Sequence, residues 1–127
     1  MHLVAIKTES DAQKLIDDAK AVQEAGASML VLECVPADLA AKITKTLHIP
    51  TIGIGAGNQC DGQVLVYQDM LGMFTDYVPK FVKQFAGVGE TMKKAFKEYM
   101  EEIQSGAFPA EEHSYKIDDE VIERLYF

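Results

Sequence analysis

Apolar and polar positions fall into blocks along the chain, and the period within each block predicts its element. Ala12, Leu15, Ile16, Ala19 and Val22 recur three to four residues apart, with Asp17, Asp18 and Lys20 off that stripe. That spacing predicts an amphipathic helix over residues 9–25. Thr8 or Ser10 offers an oxygen to cap its free N–H groups, and Gly26 fits its C-terminal cap. Met29-Leu-Val-Leu32 has no such period. Four apolar residues in a row predict a strand buried on both faces, the pattern of a parallel sheet. Pro36 then opens a second helix, where its missing N–H costs little. Leu39, Ala40, Ile43 and Leu47 are its stripe, and His48-Ile-Pro50 ends it. Thr51-Ile-Gly-Ile54 and Gln63-Val-Leu-Val-Tyr67 predict two more strands. Helix, strand, helix, strand, strand with short loops is a βα repeat, so the fold class is α/β with a parallel sheet. His2-Leu-Val-Ala-Ile6 fits either a strand or a loose end.

Beyond Asp69 the pattern changes. Met70–Phe74 and Tyr77–Phe81 are apolar runs broken by Gly72 and Pro79, which predicts an ordered loop and turns packed on the rim of the sheet. Met92, Phe96, Tyr99, Met100 and Ile103 predict the buried side of a helix from Gly89 to Ser105, ended by Gly106. The last stretch, residues 107–127, carries Phe108, Tyr115, Ile117, Val121, Ile122, Leu125 and Tyr126. It is too apolar for a free tail and is expected to dock on its own chain or on a partner.

Composition narrows the function classes. The 127 residues suffice for a single domain with a core, and 48% apolar with 25% charged residues is ordinary for a soluble globular protein. A net charge of −8 opposes non-specific nucleic-acid binding. No apolar run approaches the roughly 20 residues of a membrane span. The N-terminus lacks a basic-then-apolar signal. Cys34 and Cys60 are not spaced as a metal knuckle or redox pair, so reduced thiols and a cytoplasmic location are expected.

Candidate chemistry begins at Glu33, which follows the first apolar strand directly. In α/β folds ligands bind at the C-terminal ends of the strands. Glu33 fits a general base there, and it equally fits a solvated strand end. Gly53-Ile-Gly-Ala-Gly57 makes Gly55 and Gly57 candidate substrate-binding positions, because glycine lets backbone N–H groups approach an anion. Late loops of (β/α)8 barrels often hold phosphate in this way. Tight packing where strands converge explains the same glycines without a ligand. The spacing is not that of a dinucleotide fingerprint. Asp61-Gly62 is a common turn pair, and Asp69 closes the third strand. His113, among Glu111, Glu112 and Ser114, fits a solvated histidine or an acid–base or metal role. Lys42, Lys45, Lys93, Lys94 and Lys97 read as exposed helix faces.

A string of motifs then goes further than periodicity. Glu24-Ala-Gly-Ala27, Leu30-Val-Leu-Glu-Cys-Val-Pro36, Ile49-Pro-Thr-Ile-Gly-Ile-Gly-Ala-Gly57 and Cys60-Asp-Gly-Gln63 occur in that order. Asp69-Met-Leu-Gly72, Val78-Pro-Lys-Phe81, Ser105-Gly-Ala-Phe-Pro109 and Glu111-Glu-His-Ser114 continue it. From Lys7 to Tyr115 the chain resembles the ketopantoate hydroxymethyltransferase family. Gln68, where a histidine is usual, and Ala110, where a glycine is usual, depart from the pattern.

The resemblance implies a (β/α)8 TIM barrel of the phosphoenolpyruvate/pyruvate type, assembled into a large, decamer-like homo-oligomer. It implies transfer of a hydroxymethyl group from 5,10-methylenetetrahydrofolate to 3-methyl-2-oxobutanoate, giving ketopantoate for pantothenate and coenzyme A biosynthesis. It also implies a magnesium ion that holds the keto acid and stabilises its enolate. A glutamate removes the proton beside the carbonyl, and the matching position is Glu33. A whole barrel takes about 200–250 residues, so the match covers only the last three strands, their flanking helices and the C-terminal helices. The metal ligands are expected in an N-terminal half, with none in this chain. Three adjacent strands have two open edges and an uncovered inner face, which invite association. The chain alone is therefore expected to be inactive, and to self-associate or pair with that half. A non-catalytic fragment acting only in association or assembly is the alternative. A different barrel enzyme using Gly55–Gly57 for phosphate is opposed by the acidic balance and the motif string.

Overall fold

The computed structural model describes residues 6–74 and 76–125. Of the possible strand at His2–Ile6, all but Ile6 lies outside the described residues, as does Tyr126. The described residues form two compact units that divide between Ala86 and Gly87.

The first unit runs α1 (Glu9–Glu24), β1 (Leu30–Glu33), α2 (Ala37–Thr46), β2 (Thr51–Ile54), β3 (Gly62–Gln63) and α3 (Tyr67–Met70). Thr8 is the cap of α1: its hydroxyl accepts from the Asp11 N–H at 3.1 Å, and the Asp11 carboxylate accepts from the Thr8 N–H at 3.1 Å. Such a reciprocal pair satisfies two donors that the first turn leaves without partners. At the other end Gly26 takes φ +94°, the left-handed turn that glycine adopts without strain. Gln23 reaches from α1 to the loop after α2, where its side-chain oxygen accepts from the N–H groups of His48 (2.6 Å) and Ile49 (3.2 Å).

The three strands are parallel, in the order β1-β2-β3. Leu30 pairs with Thr51 and Glu33 with Ile54. Side chains alternate across a strand, so Leu30, Leu32, Thr51 and Gly53 share one face. That face is the covered one: Leu32 is 4% exposed, and the core it joins is made by Ile16 and Ala19 of α1 and by Ala40 and Ile43 of α2, with Leu47. Thr51 is fully buried, and its hydroxyl bonds Thr44 of α2 at 2.7 Å. The other face carries Val31, which is 55% exposed, and Glu33, also exposed. A strand buried on both faces was expected at Met29–Leu32; the structure covers one face and leaves the other open.

The third strand is also shorter than expected over Gln63–Tyr67. Its last ladder bond runs from the Val64 N–H to the Gly53 oxygen at 3.0 Å. Beyond that β2 has turned away at Gly55, φ +65°, so Leu65 and Val66 lose their partner and Tyr67–Met70 forms a short helix.

The second unit holds α4 (Val88–Ser105), a 3₁₀ turn (Glu111–His113) and α5 (Asp119–Glu123). Gly106 ends α4 in the left-handed conformation, φ +76°. The helix is where the sequence places it, but its apolar stripe is not buried: Met92, Phe96, Tyr99, Met100 and Ile103 are all exposed. The ring of Phe108 folds back beside Tyr99, 5.8 Å between centroids. Among the described residues no helix is long and apolar enough to cross a membrane.

Candidate functional site

Because the strands are parallel, their C-terminal ends make one rim. Glu33 of β1 is level with Ile54 of β2, and the next N–H, of Cys34, donates to the Ile54 oxygen at 2.9 Å. Cys34 has φ +55°. A non-glycine residue there stores on the order of 1–3 kcal/mol of strain, which the surrounding structure must over-determine. What holds it is visible on both sides: the ladder bond just named, and Val35, which turns into the core at 7% exposure. The turn carries the chain from β1 straight to Pro36, the residue that caps α2.

A cavity of about 1000 Å³ opens at this rim, walled by Cys34, Gly55, Gly57, Gln63, Lys80 and Phe81 among others. Gly55 and Gly57 both have positive φ, +65° and +77°. A Cβ on Gly55 would lie 2.8 Å from the Phe81 ring, and one on Gly57 would lie 2.5 Å from the Ala37 Cβ. Both glycines are thus required by the backbone and by close packing, whatever binds beside them. The Gln63 side-chain nitrogen donates to the Gly57 oxygen at 2.9 Å and fixes the turn from β3. A smaller cavity of about 370 Å³ shares Gly55, Gln63 and Phe81 as walls.

The base of the Gly55–Asp61 loop is tied separately. The Asp61 carboxylate accepts from the Thr51 N–H at 2.8 Å and from the Thr51 hydroxyl at 3.1 Å; the Asp61 N–H donates to that hydroxyl at 3.3 Å. Asp61 therefore holds the loop to the start of β2.

The structure brings Gly55 and Gly57 to the cavity wall. It sets Glu33 at the same rim, on the open face of the sheet and not among the residues lining the cavity. Lys80 is the charged side chain among the described lining residues, and it favours an anionic ligand. Sequence reasoning passed over Lys80, Asn58 and Gln63 as site residues. The signal was present for two of them, since Val78-Pro-Lys-Phe81 and Cys60-Asp-Gly-Gln63 belong to the motif string. His113 is engaged locally: its Nδ1 accepts from the Ala110 N–H at 3.2 Å, and its ring packs 5.1 Å from that of Phe108. Among the described residues no three His, Cys, Asp or Glu side chains are grouped to hold a metal ion.

Comparison with known proteins is consistent along the chain. A family model described as ketopantoate hydroxymethyltransferase matches residues 2–111. The 3-methyl-2-oxobutanoate hydroxymethyltransferase of Clostridium novyi (strain NT) is 65% identical over 120 residues. Those of Enterococcus faecalis (strain ATCC 700802 / V583) and Clostridium botulinum (strain Alaska E43 / Type E3) are 58% and 57% identical. Each match takes in 94% of this chain and 44% of the relative, so the chain spans less than half the length of these curated relatives.

Proposed function

The chain belongs to the ketopantoate hydroxymethyltransferase family, and from that premise we propose that it supplies the later strands of a (β/α)8 barrel, of the phosphoenolpyruvate/pyruvate type, that transfers a hydroxymethyl group to 3-methyl-2-oxobutanoate. Glu33 is the base in this reading. It takes the proton from the carbon beside the ketone, and the resulting carbanion bonds to the one-carbon unit of 5,10-methylenetetrahydrofolate. Both C–N bonds to that carbon break, and water supplies the hydroxyl oxygen. Tetrahydrofolate leaves with the nitrogens protonated, and the proton on Glu33 returns to the new hydroxyl. One observation carries the assignment: Glu33 is a carboxylate at the C-terminal end of a parallel strand, on its open face, immediately before the left-handed turn at Cys34. Closing a barrel over that face takes the carboxylate out of water, the condition under which a glutamate serves as a general base. In this reading Gly55, Gly57 and Lys80 hold the anionic keto acid, a role supported by their lining one cavity at the same rim.

Magnesium does not fit this chain's residues alone, since no group of three donors is present among those described. An ion that holds the keto acid would take its ligands from another stretch of polypeptide. The chain alone is accordingly inactive in this reading. The complete enzyme is a cytoplasmic homo-oligomer that serves pantothenate synthesis.

Complementation tests the proposal. The chain is mixed with a polypeptide carrying the remaining N-terminal part of a relative, and magnesium-dependent ketopantoate formation is measured. Activity is expected from the mixture and from neither part alone. Glu33→Gln in the mixture should lower kcat by at least about 100-fold, the lower end of what a positioned base contributes, while the keto acid still binds. Unchanged turnover would remove Glu33 from the mechanism. The exposed Val31 face also favours a second reading, a non-catalytic association module. A mixture that forms a stable complex without product would support it.

A further inference from the structure

Gln63 grips the glycine turn from the neighbouring strand. It lies opposite Gly53 of β2. A Cβ on Gly53 would lie 3.2 Å from both ends of the Gln63 carboxamide, so the bare backbone at Gly53 gives that group its place. From there the side-chain nitrogen donates to the Gly57 oxygen at 2.9 Å. We infer that Gln63 is a positioning residue for the anionic keto acid, acting through the peptide group that joins Gly57 to Asn58. The inference rests on the function proposed above and adds a residue to it.

The Gly57–Asn58 peptide bond is trans, so its oxygen and its N–H point opposite ways. With the oxygen held towards β3, the Asn58 N–H is directed away from β3. Among the described residues that N–H has no hydrogen-bond partner, although Gly57 and Asn58 both line the larger cavity. On its other side Gly57 is pressed against α2, where a Cβ would meet that of Ala37 at 2.5 Å. The peptide is thus held from β3 and from α2, and its donor is set before a ligand arrives. A donor set in advance costs a ligand less ordering entropy than one recruited on binding. The loop's other side-chain bond is an internal contrast. It runs from the Gln59 nitrogen to the Asn58 side-chain oxygen at 3.3 Å and leaves the backbone untouched.

Two measurements test the inference. KM and kcat for 3-methyl-2-oxobutanoate are taken in the complemented mixture, and the Asn58 amide resonance is followed while the full chain is titrated with the same keto acid. Gln63→Met keeps the length of the side chain and removes the donor. It should raise KM about three- to tenfold, the worth of one hydrogen bond, with kcat unchanged. The Asn58 titration should weaken by the same factor. Gln63→Glu should raise KM further, because a carboxylate repels both the Gly57 oxygen and the anionic ligand. Gln59→Met should change neither quantity. A KM unmoved by Gln63→Met in an active mixture overturns the inference and leaves the proposed function standing. A fall in kcat at constant KM, the mark of fewer folded sites, overturns it as well. An inactive native mixture in which the chain still shows the Asn58 titration, weakened by Gln63→Met, supports the inference and overturns the proposed turnover. An inactive mixture with Asn58 unmoved by the keto acid overturns both.

Discussion

Helices α2 and α4 are both amphipathic and both carry an apolar stripe that reads from the sequence, yet Ile43 of α2 is fully buried while Ile103 of α4 is 46% exposed. The difference lies in what surrounds each helix. α2 lies over the covered face of the sheet, with Thr44 bonded to Thr51 and Ala37 pressed against Gly57. α4 has ion pairs along its own surface and the ring of Phe108 beside Tyr99. A hydrophobic period fixes which face of a helix is apolar. It does not say whether the body that covers that face belongs to the same polypeptide.

Matched substitutions would break or sharpen this comparison. Ile43→Ala should destabilise the first unit by about 2–5 kcal/mol, the cost of a buried cavity. Ile103→Ala, at a dilution where the chain is monomeric, should change stability by no more than about 0.5 kcal/mol. Urea titrations of both variants measure this, and equal losses would mean that the α4 stripe is seated within one chain. Gly57→Ala should cost about 1–3 kcal/mol, because it combines a positive φ with a contact onto the first residue of α2. A neutral result would show that α2 is not held at its start by that close approach.

The smallest effect is at α1, the other helix on the covered face. The Asp11 carboxyl is held below its ordinary value, first by the Thr8 hydroxyl and then by the backbone N–H groups of Lys7 and Thr8. A lowered folded-state value stabilises above the unfolded-state value and is lost as pH falls through the folded one. The first turn of α1 should therefore loosen only in strong acid, seen as faster amide exchange at Asp11. Asp11→Asn should abolish that dependence.

Much of this was legible in the residues themselves. Thr8, Gly26, Pro36 and Gly106 mark helix ends because each solves a local backbone problem, and local chemistry is enough to find them. Glu33 at a strand exit was legible for the same reason. The length of β3 was not, because Val64-Leu-Val66 has the composition of a strand and is stopped only when β2 turns away at Gly55. The left-handed Cys34 gives no sign in its residue type. Lys80 reaches the cavity through a loop whose course depends on the tertiary packing around Phe81.

The ties between Asp61 and Thr51 have a thermodynamic consequence for whatever binds at the rim. They clamp two points ten residues apart, so the intervening loop is a closed circuit set during folding. A flexible loop would have to give up conformational entropy when it closes on a ligand. Here part of that ordering precedes binding, so if the keto acid is held at Gly55 and Gly57 as proposed, less of its affinity would be offset by immobilising the backbone.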